Sequence, residues 1–295
     1  MYKTIIPVLI LIFLFGCGQS NQPKSQPEEA ESKIIDSLIS SRIVNFENSL
    51  FSIPSPHQIT MTLKQQNIEY NPSYLNPTSN TLNYTNSYKK ALNMGVYGAD
   101  LGYLNTYDKT QEAITYFSVI KTLSQELGII NSLKKDTFER IEKNLSNQDS
   151  LLHLLSNSYQ DIDIFLKSND QGHIGALILA GGWIESMYLL SRFSENKNQE
   201  LISLLGENKN PLENLIKIIS LYTENNRIYQ VLLEKLIALE MIYQNIEITY
   251  TYNKTEVNPE QKFTKVYSNT NITISDDVLK ELIEEIKALR QFIIS

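Results

Sequence analysis

Cysteine is nearly absent: Cys17 is the only one in 295 residues. A single thiol excludes an intrachain disulfide framework, so the fold must be held by an apolar core, which a chain of this length can build. Histidine is scarce too, at three. His57 lies near a helix start, His153 sits in the apolar run SLLHLLS, and His173 falls in the first turn of a helix. None has a second histidine or a carboxylate three or four residues further on, the spacing of a helical metal pair. G-x-S-x-G, H-E-x-x-H, phosphate-loop and dinucleotide fingerprints are all missing. No metal and no cofactor is therefore expected. Cations are outnumbered, 26 against 33, for a net charge of −7. The pairs Lys89-Lys90 and Lys134-Lys135 are too small to make a basic patch. This balance argues against a nucleic-acid partner or attraction to an anionic membrane surface.

The most informative absence is proline between Pro77 and Pro211. Proline costs a helix interior about 3 kcal/mol, so a long proline-free stretch with helical spacing predicts consecutive helices. The expected spans are 86–106, 109–127, 136–145, 147–168, 171–194, 198–206, 210–223 and 226–246. Asn210-Pro211 reads as a cap followed by proline at the first helical position. Ser55-Pro56 reads the same way, opening a helix over HQITMTLKQQN, and NPSYLNPTSN reads as turns. SKIIDSLISSRIV has a short helical period. At 247 the pattern changes: EITYTY alternates with β-branched and aromatic residues, NKTEVNPEQ turns, and FTKVY and NITI follow. Residues 247–274 are thus expected to form a β-arm, and Ser275-Asp-Asp to cap a final helix over 276–293. The fold class is all-α: an antiparallel helical bundle or array with a small C-terminal β-hairpin arm, spanning 32–295.

The chain opens MYKTIIPVLILIFLFGCGQS: one cation, an apolar run from Thr4 to Phe15, then Gly16-Cys17. The run is shorter than the roughly 20 residues that span a bilayer and has the layout of a secretory signal. With Cys17 after Leu14-Phe15-Gly16 it resembles a bacterial lipoprotein signal. That resemblance implies that residues 1–16 are removed and that Cys17 carries lipid, holding the protein to a membrane of the bacterial envelope, the outer membrane before the inner. Residues 17–31, with GQSNQPKSQPEEAE, read as a flexible tether. Asp36-Ser37-Leu38 and Asp149-Ser150-Leu151 resemble the short O-glycosylation acceptor of Bacteroidetes, and only the first adjoins a tether.

GVYGADLGYLNTYDKTQEAITYFSVIKTLSQELGI, with ALILAGGWIES further on, resembles a group of Bacteroidetes lipoproteins without an assigned activity. The resemblance covers roughly residues 50–295 and implies the location and a helical fold, with no catalytic residues.

Gly95, Gly98 and Gly102 sit at helical spacing, with Gly175, Gly181 and Gly182 in the later segment. Each glycine costs a helix about 1 kcal/mol, and close packing of one helix on another is the expected compensation. Asp100, on the other side of the first helix, and Glu185 are carboxylates set among apolar and aromatic residues. Tyr97, Tyr103 and Tyr107 lie near Asp100; Trp183 and Tyr188 lie near Glu185. The pattern admits three readings: structural polar contacts, a sugar site with rings to stack on, or the acid and base of glycoside hydrolysis. The chain as a whole reads as a non-enzymatic binding or scaffolding module with an envelope protein or glycan partner. A carboxylate hydrolase acting on envelope glycans is the alternative.

Overall fold

In the computed structural model, residues 43–46, 49–52, 56–132, 136–195, 197–224, 226–252, 255–258, 263–265 and 268–295 are described. The signal, Cys17, the tether and Asp36-Ser37 lie outside them. Ten α-helices occur among the described residues: α1 Pro56–Gln65, α2 Ser87–Thr106, α3 Thr110–Glu126, α4 Thr137–Lys143, α5 Gln148–Ser168, α6 Gly172–Ser194, α7 Gln199–Glu207, α8 Lys209–Ser220, α9 Arg227–Tyr243 and α10 Asp276–Ile294. The class is all-α with a small hairpin, as the spacing predicts.

Asparagine caps four of these helices, because its side-chain oxygen satisfies an orphan first-turn N–H. Asn86 accepts from Lys89 N at 2.9 Å, Asn147 from Ser150 N at 3.0 Å, and Asn198 from Glu200 N at 3.0 Å. Asn226 accepts from Ile228 N at 3.3 Å, and Ser275 Oγ does the same for Val278 N. The start of α8 differs from expectation. It begins at Lys209 behind Asn208, so Pro211 is the third helical residue rather than the first. That position is tolerated because its N–H would have no intrahelical partner in any case.

The expected turns of NPSYLNPTSN are two 3-10 helices, Pro72–Tyr74 and Thr78–Asn83. Of SKIIDSLISSRIV, residues 32–42 lie outside the described residues, and Ile43 and Val44 belong to strand β1, Ile43–Phe46, which pairs antiparallel with β2, Ser49–Ser52. IVNF and SLFS are rich in residues that suit a pleated strand, and only two residues separate Phe46 from Ser49. The C-terminal arm is a pair of antiparallel ladders. Strand β3, Glu247–Tyr252, pairs with β6, Ser268–Thr273. Strand β4, Glu256–Asn258, pairs with β5, Phe263–Lys265. Strand β4 falls within the segment read as turn. At the arm's base, Ile272 of β6 is buried where Gly206 of α7 leaves space for it.

Helices α2 and α6 form the centre. Both are buried around most of their circumference, which is why neither has a strong apolar stripe. By length and composition α6 could cross a membrane, but 83% of its apolar window is buried inside the protein, where it serves as the core helix. Helices α1, α3 and α10 pack around α2, and α1, α5, α7 and α10 around α6.

The small residues divide by position. A Cβ on Gly95 would overlap the Ile178 carbonyl oxygen and lie 2.7 Å from Gly182 N; a Cβ on Gly181 would overlap the Leu92 carbonyl oxygen. Gly182 lies across from Gly95 O and beside Pro56. Gly98 instead helps line an apolar cavity of about 40 Å³ with Met94, Phe117 and Ile178. Gly102 has nothing within 4 Å of where a Cβ would stand. Gly175 is partly exposed in the second turn of α6. The close approach of backbones is therefore made by Gly95, Gly181 and Gly182, and does not extend to Gly102.

Candidate functional site

Asp100 of α2 and Glu185 of α6 are brought together in the core, each 0% exposed. The third member comes from α10. Arg290, 8% exposed, donates from Nε to Glu185 Oε2 and from Nη2 to Glu185 Oε1, both at 2.9 Å. This is the parallel two-bond geometry that makes guanidinium the best partner for a buried carboxylate. Arg290 Nη2 also donates to the Tyr74 carbonyl at 3.2 Å, and its guanidinium lies 4.3 Å from the Tyr188 ring centroid. The ring face thus covers the cation where water would otherwise be.

Asp100 uses one oxygen, Oδ2, to accept from Asn76 N–H at 3.0 Å. Its Oδ1 is buried and, among the described residues, has nothing donating to it. Burial of that oxygen beside the Glu185 carboxylate favours the protonated acid, the form able to donate toward Glu185. Burial pushes the Asp100 carboxyl well above the ordinary carboxylate value, and the Glu185 charge pushes the same way. Arg290 and the Asn76 N–H oppose them without cancelling the rise. With Arg290 bonded to Glu185, the protonated form of Asp100 is the one that leaves the unit without net charge.

The aromatic neighbours do not touch Asp100 in the expected way. Tyr97 Oη donates to the Pro77 carbonyl at 2.9 Å, Tyr107 Oη donates to the Ile68 carbonyl at 2.7 Å, and Tyr103 Oη accepts from Asn71 N–H at 2.9 Å. The three tyrosines fasten the 68–77 segment over α2. That segment carries the Asn76 N–H and the Tyr74 carbonyl that complete the polar unit. Trp183 Nε1 donates to Asn208 Oδ1 at 3.3 Å, joining α6 to the α7–α8 corner, away from Glu185's partner.

Arg290 is absent from the sequence-level candidates, although a signal exists. It lies on the buried stripe Leu282, Ile283, Ile286, Leu289, Ile293 of α10. A lone arginine on such a stripe requires a buried anion. Chemically the unit is sealed. Glycoside hydrolysis needs a bond inserted between its two carboxyls. Here both carboxyls are fully buried, and Arg290 occupies both Glu185 oxygens.

The protonated state makes a measurable prediction. In the unfolded chain Asp100 returns toward its ordinary value of 3.8. Below that pH both states hold the proton. Above it only the folded state does, so folding takes up a proton and stability falls as pH rises, until the raised folded pKa is passed. One such proton changes stability by roughly 1 kcal/mol per pH unit. Asp100→Asn places an oxygen toward Asn76 N–H and an N–H₂ donor toward Glu185, copying the protonated acid with no titration. The variant is expected to match wild type near pH 4, to be the more stable protein at pH 7–8, and to lack this component of the pH slope. Chemical denaturation of both proteins across pH 4–8 checks it; a variant less stable at pH 8 than at pH 4, relative to wild type, would show that Asp100 is ionised.

A second place is open to solvent. The first turns of α2, α6 and α9 meet with the α8–α9 loop around a cleft of about 310 Å³, lined by Tyr88, His173, Tyr222, Glu224, Asn226 and Tyr229, with Leu221 at its edge. Tyr88 and Tyr229 meet edge to face at 5.7 Å between centroids; Tyr222 lies 6.0 Å from Tyr229, and His173 6.3 Å from Tyr222. Asn226 Nδ2 donates to Tyr88 Oη at 3.1 Å and Tyr229 Oη donates to the His173 carbonyl at 2.8 Å. The walls are held to one another before any ligand arrives. In sequence these residues are spread from 88 to 229, and only the position of His173 in a first turn was legible.

Comparison of the chain with protein-family models, with curated proteins and with solved structures gives no match in any of the three.

Proposed function

We propose that this chain is a lipid-anchored binding module of the bacterial cell envelope, acting without catalysis of its own. The observation that carries the reading is Cys17, the only cysteine, placed directly after the apolar run and Leu14-Phe15-Gly16. Lipid chains on Cys17 would each add about 0.8 kcal/mol per buried methylene, and two or more chains give stable anchoring. The non-catalytic part of the reading is supported by the neutralised, solvent-excluded state of Asp100 and Glu185. A partner then meets the protein at its surface, where the tyrosine cleft offers fixed aromatic and polar groups.

Cys17→Ser removes the thiol that would be acylated. The expected result is loss of fatty-acid label and movement of the protein from the detergent phase to the aqueous phase, or accumulation of a species of higher mass that retains residues 1–16. Metabolic labelling with a fatty acid and detergent partitioning measure this. Equal label in both proteins would remove the basis for the anchor.

A further inference from the structure

We infer that the cleft between the first turns of α2, α6 and α9 binds the ring of a neutral sugar, so that the envelope partner is a glycan or glycoside. The inference deepens the binding-module reading and rests on it.

Size comes first. About 310 Å³, open on one side, is at the small end of ligand sites, so it holds one ring of a larger molecule rather than a long segment. Charge then narrows the class. Three helices begin at the cleft: Tyr88 and His173 are the second residues of α2 and α6, and Asn226 is the cap of α9. Helix N-termini carry partial positive charge and disfavour a full cation in the cleft. Glu224, exposed at the rim, disfavours a full anion, and among the described residues no lysine or arginine lines the site to offset it. An uncharged ligand is what both fields tolerate.

Chemistry narrows it further. The exposed parts of Tyr88 and Tyr222 supply apolar ring edges with hydroxyl tips, His173 supplies a polar edge, and the Glu224 carboxylate supplies acceptors only. A molecule that presents C–H bonds on one face and hydroxyl donors at its edge fits all of these at once. A purely apolar ligand would leave the Glu224 carboxylate to be desolvated without gaining a partner. The cross-bonded walls, Asn226 to Tyr88 and Tyr229 to the His173 backbone, reduce the ordering that binding must overcome.

The test uses the full-length lipidated protein in a detergent without a sugar headgroup. Calorimetric titration is run with methyl glycosides of neutral hexoses and N-acetylhexosamines, with tetramethylammonium as the cation probe and inorganic phosphate as the anion probe. Saturable binding of at least one glycoside at millimolar concentration is expected, with neither ion bound. Tyr222→Ala should weaken that binding at least about tenfold, and Glu224→Gln, at an exposed position, several-fold with an unchanged melting temperature. Binding of no glycoside, binding indifferent to both substitutions, or a preference for either ion would overturn the inference. These outcomes leave membrane anchoring through Cys17 as it was, since labelling and partitioning read that separately.

Discussion

Arg290→Met is expected to be among the most destabilising single changes in the core, at about 3–5 kcal/mol, because it leaves two carboxyls sealed together with no cation. The two bonds to Glu185, both 2.9 Å, and the one to the Tyr74 carbonyl are lost at once. Removing the anion instead should cost less. In Glu185→Gln, Asp100 stands close enough to Arg290 for their charges to interact. It can give up its proton and become the counter-charge. The proton that wild type takes up on folding should then disappear from the pH dependence of stability. The double variant Asp100→Asn/Glu185→Gln closes that escape and leaves Arg290 buried without an anion, so its loss should exceed the sum of the single losses. A double-mutant cycle by chemical denaturation at pH 7 measures this coupling. Additive losses would mean that Asp100 does not share the Arg290 charge. Replacing both ionic partners together, as in Glu185→Leu/Arg290→Met, should recover much of the stability lost by Arg290→Met, since an apolar pair of similar volume avoids both desolvation costs.

Gly95→Ala should be the second large effect. One methyl group would enter the Ile178 carbonyl oxygen of α6, and a backbone atom cannot rotate out of the way as a side chain can. Overpacking costs about 1–3 kcal/mol and occasionally more. With α2 and α6 both central, a loss at or above about 3 kcal/mol is expected after the gain of about 1 kcal/mol in helix propensity. Gly102→Ala is the control on the same helix. Its Cβ meets nothing within 4 Å, so the propensity gain should appear alone, as a stabilisation of about 1 kcal/mol. Thermal or denaturant melts of the two variants are expected to shift in opposite directions. Equal shifts would place the crossing of α2 and α6 elsewhere.

Much of this architecture was already determined by residues close to one another along the chain. A cap, a proline or a run of alternating β-branched residues acts through bonds that reach only a few positions, so Asn86, Asn147, Asn198 and Ser275 mark helix starts without reference to the rest of the molecule. The change from helix to β-arm at 247 was legible for the same reason. The end of α1's upstream region was not: Ile43 and Val44 satisfy a helical period as well as a strand, and pairing with Phe51 and Ser52 decides between them.

Only the tertiary structure decided what the charged and small residues mean. Helical spacing puts Gly95, Gly98 and Gly102 on a common side, but contact with α6 selects Gly95, because two helices that cross touch over a short length. Asp100 and Glu185 are each conspicuous in sequence, yet nothing local says that they face one another or that an arginine 105 positions beyond Glu185 closes the unit. The raised pKa of Asp100 is likewise a property of the assembled core: it arises only where burial and a neighbouring charge act on that carboxyl together.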